Sequence, residues 1–322
     1  MDHKAIHAVI ADDFSAVNDT IHQQLVSNVP MVEKIAEHII TSGGKRLRPT
    51  IVLLAAGLTN SQHEKQHQLA TVIEFLHTAT LLHDDVVDTS ELRRGKPTAN
   101  AQWGNAASVL VGDFLYARSF ELLVKIGHLG VMDALAATTR KIAEGEVLQL
   151  TNVRNPDTSE EKYLEVIMGK TAILFQACGE CAGLIAGTSV EQCNALADYG
   201  LHLGLAFQLI DDVLDYSGEA EKLGKNVGDD LAEGKPTLPI IHAMENCNEA
   251  ERKLIRSCIR KGSLDQLDDV IQIMNSYGSL EYTIAQAEAH AKKAQQALNI
   301  FPDSVFKEAM AALAGLSVQR DS

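Results

Sequence analysis

Two short acidic runs carry the residue types and spacing that could do chemistry. The first is His83-Asp84-Asp85-Val86-Val87-Asp88, which closes the apolar segment Leu69–Leu82. The second is Asp211-Asp212-Val213-Leu214-Asp215, which closes Leu201–Ile210. In both, the first and fifth residues are Asp, a spacing that puts two carboxylates on one helix face, about 5–6 Å apart at Cβ. They repel each other, and the helix C-terminus they sit near disfavours each by ~0.3–1 kcal/mol. A solvated helix end accounts for one such run. The same arrangement twice, each time closing a strongly apolar helix, asks for a compensating cation. Hard oxygen donors in pairs suit Mg²⁺, which takes one or two carboxylates and completes its shell with water and phosphate oxygens.

Polar groups line up with the carboxylates. His77, Asp84 and Asp88 are spaced 7 and 4 apart and fall within about 20° of one stripe at 100° per residue. Gln208, Asp211, Asp212 and Asp215 follow the same logic on the second helix. A lone histidine on an apolar helix is ordinarily a satisfied core residue; its alignment with the acid stripe marks His77 as a site candidate.

A phosphate-binding metal site also needs cations for the distal oxygens. Ser42-Gly43-Gly44-Lys45-Arg46-Leu47-Arg48-Pro49 places three bases within four residues, and Arg93-Arg94-Gly95-Lys96-Pro97 follows shortly after Asp88. Gly169-Lys170-Thr171 lies in a helix-like stretch, and Lys225 and Lys235 flank the loop after the second acid run. Arg suits bidentate phosphate contact, Lys acts as a point charge and Gly lets backbone approach. A weak internal echo, Gly95-Lys96-Pro97-Thr98 against Gly234-Lys235-Pro236-Thr237, follows the two acid runs.

The elements that must hold these residues read as helices. Helical periodicity runs over 17–40, 49–58, 65–89, 105–126, 131–152, 160–186, 191–216, 236–247, 250–260, 264–275 and 280–298, with no useful strand alternation. Few prolines and aromatics point the same way. Several segments are apolar nearly all round, as Ile51–Ala56 is, which belongs at the centre of a bundle. No low-complexity linker divides the chain. The expectation is an all-α fold, a single large helical bundle over 1–322 with a central active-site cavity. The 28 Lys and Arg against 43 Asp and Glu, net −15, argue against nucleic acid and against a polybasic membrane anchor. No apolar run reaches the ~18 residues of a transmembrane helix. Met1-Asp2-His3-Lys4 lacks a signal-peptide start, and five irregularly spaced cysteines suit a reducing cytoplasm.

Three other matches are discounted. His63-Glu64-Lys65-Gln66-His67 has the H-E-x-x-H spacing but sits in a polar helix start. Cys178-Gly179-Glu180-Cys181 lacks the second pair of a zinc site. Gly169-Lys170-Thr171 is not a P-loop, because Leu164 stands where the first glycine is required.

Taken together, Gly44–Pro49, both aspartate motifs, Arg93-Arg94-Gly95, Lys170-Thr171, Phe207-Gln208 and Gly228-Asp229-Asp230 resemble the trans-isoprenyl diphosphate synthases over nearly the whole chain. The resemblance implies the isoprenoid synthase fold, two to three Mg²⁺ ions and a homodimer. Lys45, Arg48, His77 and Arg94 would hold isopentenyl diphosphate. Asp84, Asp85, Asp88, Asp211 and Asp215 would hold the ions. Arg93, Lys170, Thr171, Gln208, Lys225 and Lys235 would contact the allylic diphosphate, with farnesyl diphosphate the expected primer. The catalytic set would be Asp84, Asp88, Lys170, Asp211, Lys225 and Lys235. Ionisation of the allylic diphosphate leaves a cation that the isopentenyl double bond attacks, and the released diphosphate takes up the proton. Short-product relatives carry bulky aromatics five and four positions before the first motif. Small Ala79 and Thr80 stand there, which implies an open tunnel and a long product, of about octaprenyl length, for a quinone side chain. The tunnel floor is left open, so a longer product fits the same reading, and product release implies a transient contact with a membrane. Two alternatives share the fold: a terpene cyclase or head-to-head coupling enzyme, which needs no isopentenyl diphosphate pocket, and a non-catalytic regulatory subunit, which would lack an aspartate motif.

Overall fold

The computed structural model describes residues 1–61, 64–217 and 227–319. The chain runs through α1 (His3–Val9), α2 (Ala11–Gln24), α3 (Pro30–Thr41), α4 (Leu47–Leu58) and α5 (Glu64–Val87). A ribbon of β1 (Leu92–Arg93) paired antiparallel with β2 (Lys96–Pro97) follows. Then come α6 (Ala99–Trp103), α7 (Asn105–Ile126), α8 (Leu129–Asn152), α9 (Glu160–Ile167), a π-helical turn Met168–Ala172, α10 (Ile173–Ala186) and α11 (Val190–Leu214). The remainder is α12 (Asp229–Glu233), α13 (Leu238–Asn246), α14 (Glu249–Lys261), α15 (Leu267–Ser276), α16 (Ser279–Ala297), a 3₁₀ turn Leu298–Ile300 and α17 (Val305–Val318). The expected all-α bundle is what forms.

The near-continuous apolar sequence of α4, with every residue from Pro49 to Leu58 buried, places it inside. α5 packs against α4 and α7, and α10 packs against α4, α8 and α11. α11 lies between α10 and α16. The two aspartate-bearing helices, α5 and α11, therefore both border α10. The α10–α11 seam is tight enough to require glycine. A Cβ on Gly179 would strike the Leu196 carbonyl, and one on Gly200 would strike the Phe175 carbonyl. Backbone approach of this kind fixes the height of α11, and with it the height of the second acid run.

The helix boundaries depart from the periodicity in places with clear causes. The expected 17–40 segment is two helices, because Pro30 opens α3 as an N1 residue and cannot continue α2. The expected 160–186 segment is interrupted by the π turn. α1 and α17 were not expected; Asp2 and Ser304 cap them by accepting from Ala5 N–H and Lys307 N–H.

Candidate active site

α5 ends at Val87, and the helical ladder extends one residue further through the Asp88 N–H to Asp84 carbonyl bond of 2.8 Å. Asp84 and Asp88 thus share a face at the helix end, partly exposed at 17% and 20% of their side chains. α11 ends in the same manner: the Asp215 N–H donates to the Asp211 carbonyl at 3.1 Å. One Asp215 carboxylate oxygen accepts from the Asp230 N–H at 3.2 Å, and the Asp215 carbonyl accepts from Gly228 N–H at 2.8 Å. These bonds tie the segment returning after 218–226 to the end of α11.

Two polar chains bridge the acid clusters. In the first, Lys170 lies 3.7 Å from Asp84 and donates to Glu146 at 2.9 Å, while its neighbour Thr171 donates to the Gln208 side-chain carbonyl at 3.0 Å. Gln208 donates in turn to Asp212 at 2.8 Å. The π turn makes this reach in two directions possible, since its wider helix puts consecutive residues toward α5 and α11. Gly145 on α8 admits the turn: a Cβ there would lie 2.8 Å from the Lys170 nitrogen. In the second chain, Lys235 donates to Asp88 at 3.0 Å and pairs with Glu233, while its backbone N–H holds the Asp230 carbonyl. Lys235 and Asp88 are 147 residues apart in sequence.

Charges in this cleft perturb one another. Burial pushes the Asp84 carboxyl above its usual range; Lys170 opposes the shift and Asp88 adds to it. Glu146 is raised by burial and by Asp84. Burial works against the charge on Lys235, but Asp88 and Glu233 outweigh it and hold its pKa above the ordinary lysine value. Lysine ammoniums thus occupy positions where carboxylates call for positive charge. The donor set on offer, carboxylate oxygens in pairs, fits a hard divalent ion. Among the described residues no three His, Cys, Asp or Glu side chains gather closely enough to cage a metal. An ion here would be held by one or two carboxylates and completed by a phosphate-bearing ligand.

A basic pocket adjoins the cleft. Gly44, at φ +135, presents its bare Cα to Arg94; a Cβ there would lie 2.8 Å from the guanidinium carbon. Arg48 stacks on Phe175, 4.3 Å from the ring centroid, and its buried Nε has no hydrogen-bond partner. Burial lowers the Arg48 pKa, partly offset by Glu74 and Asp211. Half-buried His77 feels the charges of Arg48, Arg94 and Arg93; burial first, then these cations, hold it well below the ordinary histidine range. Its ring is expected to stay neutral from pH 8 down through 6.5, so the folded state binds no proton there while the unfolded chain does. Stability is therefore lost as pH falls below about 6.5 toward the folded-state value. Histidine ring NMR checks this; a His77 titration midpoint at 6.5 or above would contradict it.

Contacts link Asp84, Asp88, Lys170, Thr171, Gln208 and Lys235, Asp215 is tied in through Asp230, and Asp211 lies near enough for its charge to act on Arg48, which with His77 and Arg94 forms the adjoining basic group. Asp85 does not share the open face. Its carboxylate is fully buried; one oxygen accepts from Arg93 Nε at 2.8 Å and Nη2 at 2.7 Å, and the other has no hydrogen-bond partner. One residue further along a helix is rotated about 100°, which turns Asp85 inward. Exposed Lys45 lines a small space with Leu47, Leu203 and Leu316. Ala79 is fully buried on α5, and Thr80 donates to the His77 carbonyl at 2.7 Å. Lys225 and His63 lie outside the described residues; His67 pairs with Asp13 at 2.8 Å. Sequence reasoning missed Glu74, Glu146, Glu233 and Tyr163. Glu74, three residues before His77, and Glu233, two before Lys235, had a spacing signal; Glu146 and Tyr163 are reached only through tertiary contact.

The profile of the polyprenyl synthetase family matches residues 29–276. This chain belongs to that family. It is 49% identical to an octaprenyl diphosphate synthase of Escherichia coli over the full length of both chains. It is 48% identical to an all-trans-nonaprenyl-diphosphate synthase of Rhodobacter capsulatus, covering 98% of this chain and 97% of that one. Its fold superposes with a TM-score of 0.96 on a Caulobacter crescentus polyprenyl synthase solved with calcium and isoprenyl diphosphate, at 44% identity, covering 100% of this chain and 98% of that one. The chain is accordingly a prenyltransferase with the isoprenoid synthase fold, and the cleft between α5 and α11 is its candidate active site.

Proposed function

We propose that this polyprenyl synthetase is a Mg²⁺-dependent, all-trans, long-chain synthase that extends an allylic diphosphate by head-to-tail condensation with isopentenyl diphosphate, to about octaprenyl length. The observation that carries the reading is the pair of polar chains that draw the Asp84/Asp88 and Asp211/Asp215 clusters together beside the Arg48–His77–Arg94 pocket. Two diphosphates need two anion sites, one with metal-binding carboxylates and one without; the aspartate clusters would supply the first and the Arg48–His77–Arg94 pocket the second. Bound Mg²⁺ supplies positive charge that stabilises a departing diphosphate. Lys170, Lys235 and Thr171 place donors beside that leaving group, where fixed dipoles and charges act at no reorganisation cost. Arg48 and Arg94 hold the second diphosphate by charge, and neutral His77 adds a hydrogen bond. The apolar wall of α4 and α5 keeps water from the allylic cation.

The outer face of α7 is open to a second copy of the chain. Leu110, Phe120 and Val124 are exposed there at coiled-coil spacing, with Leu129, 81% exposed, at the start of α8. We read this apolar stripe as the homodimer seat. No described helix is long and apolar enough to cross a membrane. With five free cysteines among the described residues, we place the enzyme's work in the cytoplasm, delivering a quinone side-chain precursor to the membrane.

The test is incubation of the purified protein with Mg²⁺, farnesyl diphosphate and labelled isopentenyl diphosphate. The expected product is a labelled octaprenyl diphosphate, abolished by chelation with EDTA. Hydrocarbon formed without isopentenyl diphosphate would indicate a cyclase or coupling enzyme, and inertness a regulatory subunit; either contradicts the reading.

A further inference from the structure

Each acid run contains a middle aspartate that the open face does not use. Asp85 is 0% and Asp212 is 2% exposed. A buried carboxylate is expensive unless it is hydrogen-bonded, so each of these needs partners, and the partners are specific. Asp85 directs one oxygen at both Nε and Nη2 of Arg93. Asp212 accepts on Oδ1 from the Gln208 amide at 2.8 Å and on Oδ2 from the Tyr163 hydroxyl. Arg93 and Gln208 come from opposite sides of the cleft, and both belong to the set read above as contacting the allylic diphosphate.

We infer that the middle aspartates, Asp85 and Asp212, are positioning residues for the allylic-diphosphate site, with Tyr163 as an anchor for Asp212. Both work from beneath the surface. Asp85 takes two of the five Arg93 N–H donors and leaves the remaining three, in their fixed fork, for a ligand. It sets the conformation of the Arg93–Arg94 turn as well, where Arg94 adopts φ +53. Asp212 fixes which way the Gln208 amide points. Its nitrogen donates to Asp212, which leaves its oxygen to accept from the Thr171 hydroxyl. Without Asp212 the amide loses the partner that fixes its orientation, and with it the set position of Thr171 beside the ligand. Tyr163, buried on α9, holds the far oxygen of Asp212 so that the carboxylate cannot rotate.

This inference rests on the synthase reading, and steady-state kinetics separates the two. The variants are Asp85→Asn, Arg93→Gln, Asp212→Asn, Tyr163→Phe and the double variant Asp85→Asn/Arg93→Gln, with Asp84→Asn as the metal-face control. For Asp85→Asn, Asp212→Asn and Tyr163→Phe, KM for farnesyl diphosphate is expected to rise about tenfold (~1.4 kcal/mol). KM for isopentenyl diphosphate and the Mg²⁺ concentration for half-activity are expected to stay within about twofold of the unmodified enzyme. The double variant is expected to be no worse than Arg93→Gln alone, because the two side chains act as one unit. A shift of the Mg²⁺ midpoint matching that of Asp84→Asn would make the middle aspartates ligands and overturn the inference. Unchanged KM for farnesyl diphosphate in folded Tyr163→Phe would overturn it too, and that variant keeps the core volume should the aspartate variants fail to fold. An unmodified enzyme that does not elongate farnesyl diphosphate would sink the synthase reading instead.

Discussion

Asp84→Asn is expected to cut turnover by about a thousandfold or more while leaving the helical fold intact. Loss of a fixed electrostatic contact to developing negative charge costs on the order of 10²–10³ in kcat, and removal of one carboxylate from a paired ion site adds the loss of that ion's position. Stability runs the other way. The Asp84 carboxyl is raised by burial and by Asp88, so its charge is tolerated in the fold, not favoured by it. Lys170 keeps Glu146 at 2.9 Å when Asp84 becomes neutral. The melting temperature, followed by circular dichroism, is therefore expected to hold or rise. Such a trade of stability for activity is characteristic of functional carboxylates. Unchanged turnover would remove Asp84 from the reaction, and a collapse of the fold in step with activity would show that it serves structure.

Ala79→Phe is expected to shorten the product with little loss of stability. Ala79 is fully buried on α5, five residues before Asp84. In a closed core, adding a benzyl group there would overpack the bundle at a cost of roughly 1–3 kcal/mol. Beside an open channel the ring has somewhere to go, and it fills the path of the growing chain. The two cases separate cleanly by chromatography of the products and a melting curve. Shorter polyprenyl chains at nearly unchanged melting temperature support a channel past Ala79. An unaltered product with a lowered melting temperature would reject that direction for it.

The sequence showed the aspartate pairs because each closes an apolar run, and an i, i+4 carboxylate pair at a helix C-terminus has no structural motive. The all-helical class followed from periodicity in the same way. The broken segment 25–29 was legible only through Pro30, whose ring opens a helix and cannot lie inside one. Motif membership grouped Asp85 with Asp84 and Asp88, while helix rotation alone turns it about 100° away from the face they share. Its pairing with Arg93, across a turn, was beyond periodicity. So was the Lys235–Asp88 bond, since charge complementarity identifies a set of partners and only the packing of α5, α10 and α11 selects one. Glu146 and Tyr163 carried no local signal at all. Each gains its role from a neighbour on another helix: Lys170 for the first, Asp212 for the second.

The carboxylates of the two aspartate clusters are expected to hold divalent ions together with a diphosphate, with the lysines now paired to them turning onto that ligand. A crystal structure with Mg²⁺ and a non-hydrolysable farnesyl diphosphate analogue tests it most directly. The expected result is Mg²⁺ about 2.0–2.1 Å from oxygens of Asp84, Asp88 and Asp211, with Lys170 and Lys235 moved from Asp84 and Asp88 onto phosphate oxygens. Lysines still bonded to both aspartates, with the analogue's diphosphate bound elsewhere, would contradict it.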